Sequence, residues 1–187
     1  MRTRVVDAAV ALTAEVGWSR VTMAGIAERV GVSRQTVYNE LGTKTGLAEA
    51  MVATELDRFL AVVSLAFDAH PPAGADPLVA AIRAAAAAVL ELAQDNPLLH
   101  AVVSATHGAD TELLPLLTTN AQPLLETAKL VLGERVAAYD TGLDAPRLDS
   151  GTDMVVRLVL SHVMQPSGTP TDTADAIAWI AGRVLTR

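Results

Sequence analysis

The chain contains no cysteine in its 187 residues. Disulfides and thiolate metal sites are thereby excluded, which fits a reducing compartment. Aromatic residues amount to only 3%, and alternation of Val, Ile or aromatics with polar residues is scarce, so strand signals are missing. Long uncharged runs are missing too. The longest, 98–109, 113–125 and 158–171, contain Pro, His, Asn or Gln and fall short of the roughly 18 apolar residues a spanning helix needs. Arg2, Thr3, Arg4 and Asp7 open the chain with no secretory apolar region. Despite a mean hydropathy of +0.34, these absences predict a soluble, cytoplasmic protein. No G-x-S-x-G, H-E-x-x-H, P-loop or cysteine nucleophile occurs, so no enzyme and no cofactor are expected. His100 and His107 lie seven apart, two helical turns, too far to share a metal without other ligands, and no metal site is expected.

What is present is hydrophobic and helix-forming. Apolar residues make up 51%, with Ala, Leu and Val abundant, which predicts an all-α protein of close-packed helices. The organising stretch is 22–44, TMAGIAERVGVSRQTVYNELGTK. Met23, Ile26, Ala27 and Val30 fall on one helical face. Gly31 supplies a left-handed stop, Val32 an apolar plug, and Ser33 an N-cap for a second short helix. In that helix Val37 and Leu41 can pack inward, which turns Arg34, Gln35, Thr36, Tyr38 and Asn39 outward. Two short helices joined by a glycine turn describe a helix-turn-helix, whose second helix enters the major groove of DNA. Arg grips guanine, Gln or Asn grips adenine, and a threonine methyl can touch thymine.

With the preceding helix from about Thr3 to Val16, this stretch resembles the DNA-binding domain of the tetracycline-repressor-like (TetR) family of bacterial regulators. The resemblance covers roughly residues 4–50 and rests on Thr22, Ile26-Ala27, Gly31-Val32-Ser33, Val37-Tyr38 and Lys44 with Leu47. It implies that Tyr38 and Lys44 contact phosphate, and Thr22 at a helix start could do the same. The sequence departs from the family's pattern at Glu40, at Leu41 in place of phenylalanine, and at Gly46, expected to weaken the first turn of the next helix. Charge divides along the same line. Residues 1–50 hold six basic and five acidic side chains, and residues 51–187 hold eight and sixteen.

The organisation expected is a three-helix DNA-binding domain over 1–46, then a larger helical effector-binding and dimerisation domain over 47–187, about nine helices in total. Helices are predicted at 44–69, from Asp76-Pro77 to about Asp95, from Asn96-Pro97 to about Thr106, from near Asp110 to Tyr139, and at 151–165 and 171–185, with a loop over 140–150. The resemblance implies a homodimer through the last two helices, operator DNA as partner, and a small-molecule effector. Independently, helix 151–165 is apolar nearly all round and 171–185 carries an Ile177, Ile180, Ala181, Val184 stripe beside Trp179, faces that ask for further burial. Candidate ligand contacts are His100, His107, Gln122, Glu126 and His162, with Asn120 and Tyr139, in apolar surroundings that suit an apolar effector. The reading is a ligand-responsive repressor. The alternative is a helical sensor or interaction module whose DNA-binding motif has decayed.

Overall fold

Short polar caps and glycines divide the chain into helices, and the computed structural model describes residues 1–73, 76–104 (101–104 as backbone) and 122–186. Among the described residues there are nine α-helices and no strand. They are α1 (Arg2–Val16), α2 (Met23–Val30), α3 (Arg34–Leu41), α4 (Lys44–Asp68), α5 (Pro77–Gln94), α6 (Pro97–Ser104), α7 (Gln122–Val136), α8 (Ala145–Met164) and α9 (Pro170–Leu185), with a 3-10 turn at Trp18–Arg20. The helix expected to begin near Asp110 is seen from Gln122, and its earlier part lies outside the described residues.

Two compact units result, Met1–Asp57 with Asp95–Gln122, and Arg58–Gln94 with Pro123–Arg187. The division falls inside α4, between Asp57 and Arg58.

In the first unit the predicted inward faces meet in one core. Val5, Val6, Ala9 and Val10 of α1 pack with Trp18, Val21, Met23, Ile26, Ala27, Val37, Leu41, Leu47 and Met51. Leu98 of α6, 1% exposed, joins the same cluster. A buried polar tie accompanies it. Asn96 caps α6 by accepting from the Leu99 N–H at 2.9 Å, and its amide donates to Glu55 Oε2 of α4 at 2.6 Å. Both side chains are buried, at 4% and 5% exposure, so the pair satisfies groups that water cannot reach.

In the second unit α9 packs along α5 and α8. Both α5 and α9 bury alanines (Ala81, Ala85, Ala86; Ala174, Ala178, Ala181), small side chains that let helix axes approach closely. By length and composition α5 could cross a membrane. Instead Leu78, Ala81, Ile82 and Ala85 lie in this core, and Arg83 pairs with Asp175 of α9. Phe67 and Tyr139 meet edge to face with ring centroids 6.0 Å apart, and the Tyr139 hydroxyl donates to the His70 carbonyl. Desolvation raises the phenol above its usual range.

One helix starts earlier than the sequence reading placed it. Residues 145–150, expected as loop, form the first turns of α8. Asp144 accepts from the Arg147 N–H at 3.0 Å and Pro146 follows within the first turn. That is the same cap-then-proline signal as Asp76-Pro77 and Asn96-Pro97, embedded in a stretch rich in Asp, Gly and Pro.

Candidate nucleic-acid interface

The geometry of the motif starts with its caps. Thr22 accepts from the Gly25 N–H at 3.0 Å, opening α2. Gly31 sits at φ 75, ψ 38, and its N–H reaches the Ala27 and Glu28 carbonyls, while the Val32 N–H returns to Ala27 at 2.9 Å. This closes α2 in the left-handed conformation that glycine adopts without a side-chain penalty. Ser33 then accepts from the Thr36 N–H at 3.1 Å and its hydroxyl meets the Thr36 hydroxyl at 2.9 Å. The second helix therefore begins at Arg34, one residue after its cap.

Val37 and Leu41 are the buried residues of α3. They fix which face is left out. Arg34, Gln35, Tyr38 and Asn39 are exposed and Thr36 is half-buried, so the five expected readers share the outer side of one short helix. Gln35 donates from Nε2 to Asn39 Oδ1 at 2.8 Å, one turn along. The pair is thereby preorganised, and it keeps the Gln35 carbonyl oxygen and the Asn39 amide available for base edges. Tyr38, 48% exposed, presents its phenol to solvent beside them.

Lys44 and Thr22 lie at helix starts, where free N–H groups favour anions. Thr22 is exposed and uses its oxygen as the cap, which leaves its proton to donate. The Lys44 ammonium sits 4.7 Å from the centroid of the Trp18 ring and 3.4 Å from the Ser19 carbonyl. Its long stem is held against the 3-10 turn by a cation–π contact. Arg29 grips Glu15 through two bonds of 2.6 and 2.7 Å, joining α2 to α1 and holding the Glu15 carboxyl below its ordinary range.

Gly46 turns out to be required rather than weakening. A Cβ there would stand 2.4 Å from the Leu41 carbonyl oxygen, because the start of α4 passes directly against the end of α3. Sequence reasoning missed this, as a glycine in a first turn carries no signal of what approaches it.

The ligand candidates are dispersed. His100 is exposed on α6, in the first unit. Gln122 and Glu126 are exposed on α7, and His162 is half-buried on α8 with Nδ1 3.2 Å from the Ser167 hydroxyl. Tyr139 is buried and bonded to His70. His107 and Asn120 lie outside the described residues.

Comparisons with known proteins place both parts of the chain in one family. Residues 5–51 match the family described as bacterial regulatory proteins, tetR family, and residues 77–183 match the bacterial tetracyclin repressor C-terminal domain. The HTH-type transcriptional regulator AlkX of Mycobacterium tuberculosis is 31% identical over 180 residues, 95% of this chain and 82% of that protein. The crystal structure of AlkX from Dietzia sp. strain DQ12-45-1b, a TetR family repressor implicated in biodegradation of n-alkanes, is 28% identical. It superposes with a TM-score of 0.74 over 99% of this chain and 97% of its own. A TetR-like regulator from Rhodococcus sp. RHA1 shares the fold at 16% identity, TM-score 0.61, over 97% and 93% of the two chains. With both parts of the chain matched, the chain belongs to the TetR family of ligand-responsive, DNA-binding transcriptional regulators.

Proposed function

We propose that this regulator acts in the cytoplasm as a homodimeric, non-enzymatic repressor. Residues 1–46 grip the operator, and residues 47–187 receive an apolar effector and form the dimer. The supporting observation for DNA contact is the outward row on α3. Arg34, Gln35, Thr36 and Asn39 would read bases, with Tyr38, Lys44 and Thr22 on phosphates.

For the dimer, the support lies in α8 and α9. Of the eight large hydrophobic side chains exposed among the described residues, four belong to these two helices: Met154, Leu160, Trp179 and Val184. Trp179 is 64% exposed, with the Arg183 guanidinium 5.7 Å from its ring centroid. Exposed apolar side chains of this size suit further burial in a two-fold interface, and a dimer matches the two half-sites of an operator.

The effector would be aliphatic and largely uncharged. The packed core of the second unit is built largely of Leu, Val, Ile and Ala, and the repressor from Dietzia is implicated in n-alkane biodegradation. Glu126 and His162, and likewise Gln122, His100 and His107, remain the proposed contacts. An effector that binds more tightly to the conformation mis-spaced for DNA would release the operator, with α4 as the connecting element.

The test is binding of the purified protein to duplex DNA flanking its own gene, with competitor DNA and across a salt series. Tyr38→Ala should weaken binding by about tenfold with the dimer intact by sedimentation, and n-alkanes, tried as the first apolar effectors, should release the wild type. Undiminished binding by Tyr38→Ala would remove α3 from the interface.

A further inference from the structure

Arg2 and Arg4 stand at the wrong end of their own helix. The first turn of α1 holds two cations and no acid, and Met1 provides no side-chain cap. Cations at a helix N-terminus oppose the macrodipole, where an acid would stabilise. The structure shows where the charges act instead. Arg2 Nη1 donates to the Glu40 carbonyl at 2.8 Å and Arg4 Nη2 to the Val30 carbonyl at 3.2 Å. These carbonyls belong to the last turns of α3 and α2, the negative ends of both helices of the motif.

The remaining carbonyls of those turns are accounted for mostly by the chain itself. Gly42 N–H serves Tyr38, Thr43 N–H serves Leu41, and the N–H groups of Gly31 and Val32 serve Ala27 and Glu28. Arg2 and Arg4 therefore meet carbonyls that the local turns leave over. Each spans a large sequence separation, 38 and 26 residues, so each bond is a tertiary tie between the start of α1 and the end of another helix.

We propose that Arg2 and Arg4 are positioning residues that fix the two helices of the motif against α1, Arg2 at the end of the recognition helix α3 and Arg4 at the end of α2 on which α3 packs, rather than residues that hold phosphate. The inference rests on the reading of α3 as the DNA-contacting helix. That helix has only two buried side chains, Val37 and Leu41, to orient it. Arg2 adds a third anchor at its far end, close to Asn39. Loss of the anchor lets the outer face swing, which costs base reading more than backbone contact.

The experiment starts from a duplex selected by the wild-type protein out of a random pool, with a scrambled duplex of equal length as reference. Arg2→Ala and Arg4→Ala should each lose about fivefold to tenfold for the selected duplex and little for the scrambled one. The slope of log affinity against log salt should stay at the wild-type value. Arg2→Lys keeps the charge and a donor and should retain most of the selected-to-scrambled ratio, which carries the test if the alanine variant proves too unstable. Equal losses on both duplexes, with the slope falling by about 0.9 per arginine, would make these residues phosphate contacts and overturn the assignment. So would alanine variants that bind as the wild type does, or a lysine variant that loses the ratio. A wild type that selects no duplex at all would remove the DNA-binding reading of α3 and this inference with it.

Discussion

Gly46→Ala separates two physical effects that point in opposite directions. Alanine inside a helix is favoured over glycine by about 1 kcal/mol, through backbone entropy, so propensity alone makes this substitution stabilising. The packing opposes it. The added Cβ would lie 2.4 Å from the Leu41 carbonyl oxygen and 3.6 Å from its carbon, whereas a relaxed C···O contact is about 3.3–3.6 Å. The two helices must part by roughly 1 Å, and the obstruction is backbone, which cannot rotate aside. Overpacking of this kind costs about 1–3 kcal/mol, so the net change is a loss of about 1 kcal/mol and a Tm lower by about 2–4 °C for a chain of this size. Gly133→Ala supplies the control. That glycine lies within α7 with no atom within 4 Å of a built Cβ, so the same substitution should raise Tm. Thermal melting by circular dichroism, run on both variants, gives the two signs. Because Leu41 is the last residue of α3, the shift should also reduce operator affinity by at least about tenfold in a gel-shift titration. A Gly46→Ala protein as stable as Gly133→Ala, with wild-type DNA binding, would refute the close-approach argument.

Two other perturbations follow from the packing. Asn96→Ala removes the cap on α6 and one donor to the buried Glu55 carboxylate, which should cost about 2–3 kcal/mol and be visible as a lower urea midpoint; an unchanged midpoint would deny the tie any energetic role. Acid should weaken the second unit partly through Asp153. Its hydrogen bond from Arg157 at 2.7 Å, helped by Lys129, holds the carboxyl below its usual range against the opposing effect of burial. The folded state therefore binds the proton less readily than the unfolded one. The stabilisation is complete above the ordinary aspartate range of about pH 4 and is lost as pH falls through the lowered folded value. In melts from pH 7 downward, Asp153→Asn should lose less Tm in this acid interval than the wild type does; parallel curves would show that Asp153 is not among the groups responsible.

The helix-turn-helix was legible because each of its signals is local. Thr22, Gly31 and Ser33 act on backbone groups within four residues, and the Val37–Leu41 pair determines the outward face without reference to anything distant. The start of α8 was legible in principle, through Asp144 and Pro146, but those residues also read as loop. What the sequence could not disclose is tertiary. The Asn96–Glu55 bond spans 41 residues, the crowding at Gly46 comes from a neighbouring helix end, and the acceptors of Arg2 and Arg4 are carbonyls, which every residue possesses. Ligand contacts were least legible, since Leu, Val and Ala build a core and a pocket wall alike, and a lone histidine identifies neither.

The two tryptophans have an optical consequence. The chain holds only these two. Trp18 is 2% exposed beneath Lys44 in the first unit, and Trp179 is 64% exposed on α9 in the second. A buried indole emits at shorter wavelength and resists collisional quenchers, and an exposed one does the reverse. Replacing either with phenylalanine would leave a single indole, which red-edge excitation singles out from Tyr38 and Tyr139, so unfolding around the DNA-binding motif and covering of the α9 surface could be followed separately on unlabelled protein.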